Sequence, residues 1–360
     1  MSGCTTDWSN VTLATFNQTL LNDTSLCTSC TCPLVLDGVQ LSWVRYYPSL
    51  AGNVLFTAIF GLYLALQFFF GIQHKTWGFL VAMTIGLLLE IIGYIGRILL
   101  RSDMFSFSWF LMYLVCLTIG PAFFSAAIYL TLSRLIVIYG QQKARFRPQV
   151  YTYVFITFDV IALVLQAAGG AVASVASAYS SLQNTGVHIM VGGLAWQVFS
   201  LALFGLLSLD FWWRVIHSPP GSEPMNQTFE LLRSRRSFQP LFMIAIFLAG
   251  LFIFVRSVFR CAELSNGFGG ALANDQITFM VLEGTMMILA CGLLTFFHPG
   301  LIIGRKAWAM ASWKHKNLDT SFEEENSHRL NQRKKHGLFY KLSNNSQTSS
   351  VGDGFEILRH

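Results

Sequence analysis

The sequence predicts an all-α fold, a polytopic membrane protein built as a bundle of seven spanning helices, with its N-terminus outside and its C-terminus in the cytosol. Three observations carry that prediction. Apolar residues make up 53% of the chain and charged residues only 12%, against about 25% charged in an ordinary soluble domain. Seven apolar segments each approach or exceed the ~20 residues that a helix needs to cross a bilayer. Lysine and arginine gather in alternate connections between those segments, as they do where loops face the cytosol.

Residues 1–47 are polar, with N-x-Ser/Thr sequons at Asn10, Asn17 and Asn22 and no apolar stretch that would serve as a cleavable signal. They read as a translocated, glycosylated tail. Cys4, Cys27, Cys30 and Cys32 suit one or two disulfides in an oxidising compartment, with three possible full pairings. A metal site at Cys27-x-x-Cys30-x-Cys32 is the rival reading, disfavoured because no histidine accompanies the cysteines.

The membrane domain spans residues 48–303. Its apolar segments are 49–70, 77–100, 109–132, 150–173, 189–209, 241–264 and 277–297. An odd number of crossings puts the two tails on opposite sides. With the first tail outside, the inner connections hold twelve basic residues: Lys75; Lys143, Arg145 and Arg147; Arg214, Arg233, Arg235 and Arg236; Arg305, Lys306, Lys314 and Lys316. The outer ones hold Arg45 and Arg101. The sequons agree with this orientation, and those at Asn226 and Asn344 then face the cytosol and stay bare. The net charge of +6 is accounted for by these loops, without nucleic acid.

Pro121 inside the third segment reads as a kink, and Tyr47-Pro48 as an entry turn. In the fourth, Gly169, Gly170, Ala173 and Ser174 follow a small-residue pattern that lets helices approach closely. Ser218-Pro-Pro-Gly221 breaks the chain after the fifth, and Arg233-Ser-Arg-Arg236 reads as a topology-setting cluster near anionic lipid. Residues 304–360 form the cytosolic tail. It opens on Arg305, Lys306, Trp308 and Trp313, which suit an interfacial helix, and continues as a largely disordered polar stretch.

Charge inside the spans is the feature that needs explaining. An ionisable group at membrane depth costs at least ~2.5 kcal/mol, so it is kept only where it faces protein, a partner or water. Glu90, Gly93, Tyr94 and Arg97 fall within an arc of roughly 100° on the second helix. Asp159, Gln166 and Gly170 share a face of the fourth. Arg256, Arg260 and Glu263 stand at i, i+4 and i+7 on the sixth, and Glu283 adds a carboxylate in the seventh. Counted along the helices, Asp159 is the deepest acid, about nine residues above the inner boundary. Ion pairs that set helix neighbours would explain some of these residues. So many polar groups on facing helices also predict a shared polar cavity that takes the cationic or polar head of an amphiphile.

Those residues carry a resemblance. Glu90-x-x-Gly93-Tyr94-x-x-Arg97, Phe158-Asp159 with Gln166-x-x-Gly169-Gly170, Arg256-x-x-Phe259-Arg260-x-x-Glu263 and the closing His298-Pro299-Gly300 together resemble the fungal lipid-translocating exporter family. This is also the resistance-to-aminocholesterol family, which includes a yeast sphingoid long-chain-base exporter. The likeness covers residues 47–300. It implies a seven-helix plasma-membrane protein linked to export or flip of long-chain bases, to resistance against toxic amphiphiles or, in one branch, to tetrapyrrole transport. One departure stands out. Where the family has an acidic residue and Tyr-Asp before the last helix, this chain reads Asn274-Asp275-Gln276, with Glu283 as the replacing carboxylate.

The chain lacks a Gly-x-x-x-x-Gly-Lys-Ser/Thr phosphate loop, a His-Glu-x-x-His zinc motif and a Gly-x-Ser-x-Gly nucleophile elbow. No enzyme, metal or cofactor is expected, and the expected partners are membrane lipids or amphiphilic small molecules. His298 before Pro299 reads as a helix-terminating turn rather than a ligand. A seven-helix receptor, sensor or regulator of lipid asymmetry shares the topology, but the third segment ends Leu132-Ser133-Arg134-Leu135 without Asp-Arg-Tyr, and the seventh lacks Asn-Pro-x-x-Tyr. An exporter of a fungal secondary metabolite is a further alternative. No inverted repeat supports an alternating-access scheme.

Overall fold

The computed structural model describes residues 16, 27–28, 31–37, 39–140, 144–175, 181–217, 241–265, 270 and 272–311. Asn10, Asn17, Asn22, Cys4, Cys30, Lys143, the 218–221 break, Asn226, the 233–236 cluster, Trp313, Asn344 and the rest of the polar tail lie outside the described residues.

Seven helices are long and apolar enough to cross a membrane. They are α1 (Leu50–His74), α2 (Trp77–Ser102), α3 (Phe107–Tyr139), α4 (Pro148–Val175), α5 (Ser181–Ile216), α6 (Leu241–Ser265) and a composite seventh span (Gln276–Ile302). Local chemistry sets their ends. Ser49 caps α1 by accepting from the Gly52 amide. Lys75 closes α1 in the left-handed region, φ 53°, so the chain reverses within two residues. Pro148 opens α4, where its missing N–H costs nothing.

The helices overrun their apolar segments. The 36-residue α5 is about 54 Å long at 1.5 Å per residue, well beyond the ~30 Å hydrocarbon layer. Its last turns continue in polar surroundings, where Asp210 pairs with Arg214 at 3.1 Å and with Arg145 at 2.9 Å. Hydropathy marks where lipid ends, and the helix continues past that point.

Each helix packs on its sequence neighbours, and the seventh span lies against both α6 and α1. α4 and α5 come closest: a Cβ built on Gly169 would stand 2.5 Å from the Met190 amide, and one on Gly186 would stand 2.5 Å from the Ala173 amide. Gly170 faces open space instead. The outer surface is a belt of exposed apolar side chains, among them Leu62, Phe69, Val164, Leu206 and Phe296, as a lipid-facing bundle requires.

The segment before α1 packs on one end of the bundle. Cys27 and Cys32 form a disulfide. A two-stranded antiparallel ribbon follows, β1 (Val35–Leu36) with β2 (Val39–Gln40), in register Val35 to Gln40. Trp43 donates to the Phe105 carbonyl at 3.1 Å and stacks on Phe110, while the Arg45 amide donates to Asn274 at 2.9 Å. At the opposite end, His298 caps a short turn by accepting from the Gly300 amide at 3.0 Å, the structural role read from the sequence. The helix Arg305–Met310 differs from the expected interfacial element. Trp308 is buried, its carbonyl accepts from Arg134 at 2.9 Å, and the guanidinium lies 4.9 Å from its ring. Arg134, inside α3, supplied a partner that the local pattern did not reveal.

Candidate functional site

All nine polar residues singled out inside the spans are buried, none more than 6% exposed. They fall into two groups rather than one.

The first group joins α3, α6 and the seventh span, with the polar residues of α2 beside it, and Pro121 organises it. Proline has no N–H, so the carbonyl four residues earlier, that of Leu117, receives no helical hydrogen bond. Arg256 of α6 donates to that carbonyl and, with the same nitrogen, to Glu283. Glu283 sits in a π-helical turn, Met280–Thr285, that interrupts the seventh span; such turns recur at functional sites and re-aim side chains. One turn along α6, Arg260 donates to Glu263 at 2.6 Å and to the Thr118 hydroxyl at 3.1 Å, with its Nε 3.8 Å from Glu283. Thr118 in turn donates to the Leu114 carbonyl. Two arginines and two glutamates thus compensate one another's charge in one network, while Glu283 Oε2 and the Nε of each arginine close no hydrogen bond.

Arg97 and Glu90 stand apart from it. Arg97 donates to the Tyr46 hydroxyl at 2.9 Å, and its guanidinium lies 3.8 Å from the Phe279 ring centre and 5.1 Å from that of Tyr113. Aromatic faces stabilise it in place of a carboxylate. Tyr94 packs edge-on to Phe56 and stacks on Phe60. Neither carboxylate oxygen of Glu90 closes a hydrogen bond. A Cβ on Gly120 would come within 3.1 Å of Glu90 Oε1, so the bare glycine beside Pro121 makes room for that carboxyl.

The second group joins α3, α4 and α5. The Tyr129 hydroxyl is within reach of Asp159, Ser125 and Ser200. Ser125 is committed to the Pro121 carbonyl at 3.0 Å. Tyr129 Oη, both oxygens of Asp159 and Ser200 Oγ close no hydrogen bond of good geometry. Further along the same interface, Gln166 donates to Gln197 at 3.2 Å.

Beside Tyr129 a cavity of about 530 Å³ opens between α3, α5 and α6. Ser125, Tyr129 and Ser208 are the polar side chains of a wall otherwise built mainly from Leu, Ile, Phe, Met and Trp212. Gly205 and Gly250 stand on it, and a Cβ at either would meet no atom within 4 Å. Its rim includes Leu206, Leu209, Ile244, Phe247 and Leu251, all exposed on the lipid-facing surface.

The single polar chamber expected from the sequence is therefore not what forms. The charges of α6 and the seventh span close on each other, while Asp159 belongs to a separate cluster at another depth. Tyr129, Ser200, Gln197, Thr118 and the Leu117 carbonyl were missed. The spacings Ser125 to Tyr129 and Gln197 to Ser200 put each pair on one helix face, a signal that small polar residues in an apolar run give only weakly.

Fold and interior together define a polytopic membrane protein with ionic crosslinks in its core and an apolar cavity beside a lone buried acid. The chain belongs to the RTA1-like protein family, which matches residues 83–306. Among its relatives in Saccharomyces cerevisiae, the sphingoid long-chain base transporter RSB1 is 33% identical over 276 residues, 70% of this chain and 72% of the relative. Protein RTA1 is 23% identical over 70% of this chain and 83% of its own length. Protein RTM1 is 24% identical over 60% and 66%. No solved structure matches the chain.

Proposed function

We propose that this protein is a transporter or flippase that moves single-chain, lipid-like amphiphiles across the membrane, with sphingoid long-chain bases as its substrate class and resistance to toxic amphiphiles as the consequence. The observation that carries the reading is the cavity of about 530 Å³, largely apolar, rimmed by lipid-facing residues and carrying polar side chains at Ser125, Tyr129 and Ser208. That volume lies within the ~300–1,000 Å³ range of ligand sites, and entry from the side suits a guest already dissolved in the bilayer. Membership of a family with a relative named as a sphingoid long-chain base transporter supports the same class and favours transport over enzymatic turnover. The twelve-to-two distribution of basic residues supports an outer N-terminus, and the resemblance supports the plasma membrane as its location.

Reconstitution tests this reading. Labelled phytosphingosine should cross vesicles containing the purified chain faster than protein-free vesicles, measured with and without a proton gradient. No acceleration in either condition would overturn transport and favour a sensor or regulator.

A further inference from the structure

Two buried acids in the described residues, Glu90 and Asp159, close no hydrogen bond of good geometry; Glu90 lies in the field of Arg256 and Arg260, whereas Asp159 has no cation near it. Asp159 is 4% exposed, Tyr129 and Ser200 are fully buried, and four of their oxygens close no hydrogen bond of good geometry, although the Tyr129 hydroxyl is within reach of both Asp159 and Ser200. No described cation pairs with Asp159. Buried polar groups are ordinarily satisfied, so each exception needs a physical explanation. What stands next to this cluster is the wall of the cavity, since Tyr129 belongs to both.

The cavity itself is kept open by the chain. At Gly169 and Gly186 the missing side chain is explained by a backbone lying 2.5 Å from where a Cβ would stand. At Gly205 and Gly250 no such neighbour exists, and both glycines border the cavity. Their effect is space, in a wall that any larger apolar residue would fill.

We propose that Asp159, Tyr129 and Ser200 bind the head of a single-chain primary amine bearing hydroxyl groups, whose hydrocarbon chain lies in the α3, α5 and α6 cavity. The ammonium pairs with Asp159, and the hydroxyls of Tyr129 and Ser200 exchange hydrogen bonds with the amine and its neighbouring hydroxyls. A carboxylate of this depth with no protein cation selects a positively charged head over a neutral one, because a neutral guest leaves the acid uncompensated. An anionic head is excluded by like charge. The choice of a bilayer-dissolved guest rests on the transport reading; the site itself rests on the unpartnered oxygens and the cavity.

The test is equilibrium binding to the full chain in nanodiscs, with sphinganine and N-acetylsphinganine as probes. The two share chain and hydroxyls and differ in the ammonium. Wild type should bind sphinganine at least about tenfold more tightly, as expected for a buried charge pair. Asp159→Asn should abolish that preference. Gly205→Leu should weaken both probes, and Tyr129→Phe should weaken sphinganine without restoring affinity for the acetylated probe. Equal affinities in wild type would overturn the proposal, as would an Asp159→Asn protein that still prefers the amine. Should Asp159→Asn not fold, unchanged binding in both Gly205→Leu and Tyr129→Phe would overturn it, and weakening in both would support it. Vesicle transport separates this site from the wider reading. Movement that is indifferent to Asp159 and Gly205 leaves transport standing and removes the site; amine-selective binding without movement does the reverse.

Discussion

Glu283 and Asp159 are both buried carboxylates in spanning helices, and they are answered in opposite ways. Glu283 meets Arg256 directly and Arg260 at 3.8 Å, and its network includes the Leu117 carbonyl, Thr118 and Glu263. Asp159 meets only the Tyr129 hydroxyl. A charge compensated from within the chain fixes which helices are neighbours, whereas a charge that the chain leaves open can be compensated by a guest. Burial alone does not tell the two apart; the presence of a partner does.

The largest expected effect comes from opening the ion-paired group. Arg256→Met strands Glu283 and the Leu117 carbonyl in the interior, a loss of about 3–5 kcal/mol, to be read as a fall in the melting midpoint of the detergent-purified protein. The double variant Arg256→Met/Glu283→Met should regain most of it, because paired apolar replacement of a buried ion pair is often neutral. Failure to regain would mean that the pair does more than compensate itself.

Pro121→Ala sharpens the comparison further. Helix propensity alone favours alanine by about 3 kcal/mol, yet the restored N–H competes with Arg256 for the Leu117 carbonyl. In the wild-type background the gain should be largely cancelled, and in the Arg256→Met/Glu283→Met background it should reappear as a higher melting midpoint.

The close approach of α4 to α5 depends on the glycines. Gly186→Ala should cost about 1–3 kcal/mol through overpacking, while Gly170→Ala, which faces open space, should stay within about 0.5 kcal/mol. Thermal melting of the two variants checks this. The smallest effect belongs to the exposed pairs at the end of α5. Asp210→Asn should leave melting unchanged at physiological salt, since solvent and ions screen such contacts.

The fold was largely legible in the sequence because a bilayer imposes a length and a polarity on every crossing. All seven spans were found, with ends that fell short wherever a helix outlasted the hydrocarbon, as at Asp210 and Arg214. The inward arc of Glu90, Tyr94 and Arg97 was legible too, since helical period alone places residues on a face. What periodicity cannot give is the rotation of one helix against another, and partners depend on that. Arg97, one of the arginines available for an intramembrane ion pair, instead rests on Phe279 and Tyr113. Pro121 reads as a kink, but its consequence lies in a carbonyl four residues away and an arginine on another helix. The depth of Asp159, below the other acids, was the sequence's one sign that it belongs to a different cluster.

The central claim is that the chain compensates Glu283 itself and leaves Asp159 to a cationic guest. Melting midpoints of wild type, Glu283→Gln and Asp159→Asn, each with and without sphinganine, test it most directly. The account predicts a lower midpoint for Glu283→Gln that sphinganine still raises, and an undiminished midpoint for Asp159→Asn that sphinganine does not raise. An Asp159→Asn protein that sphinganine stabilises as much as wild type would contradict it.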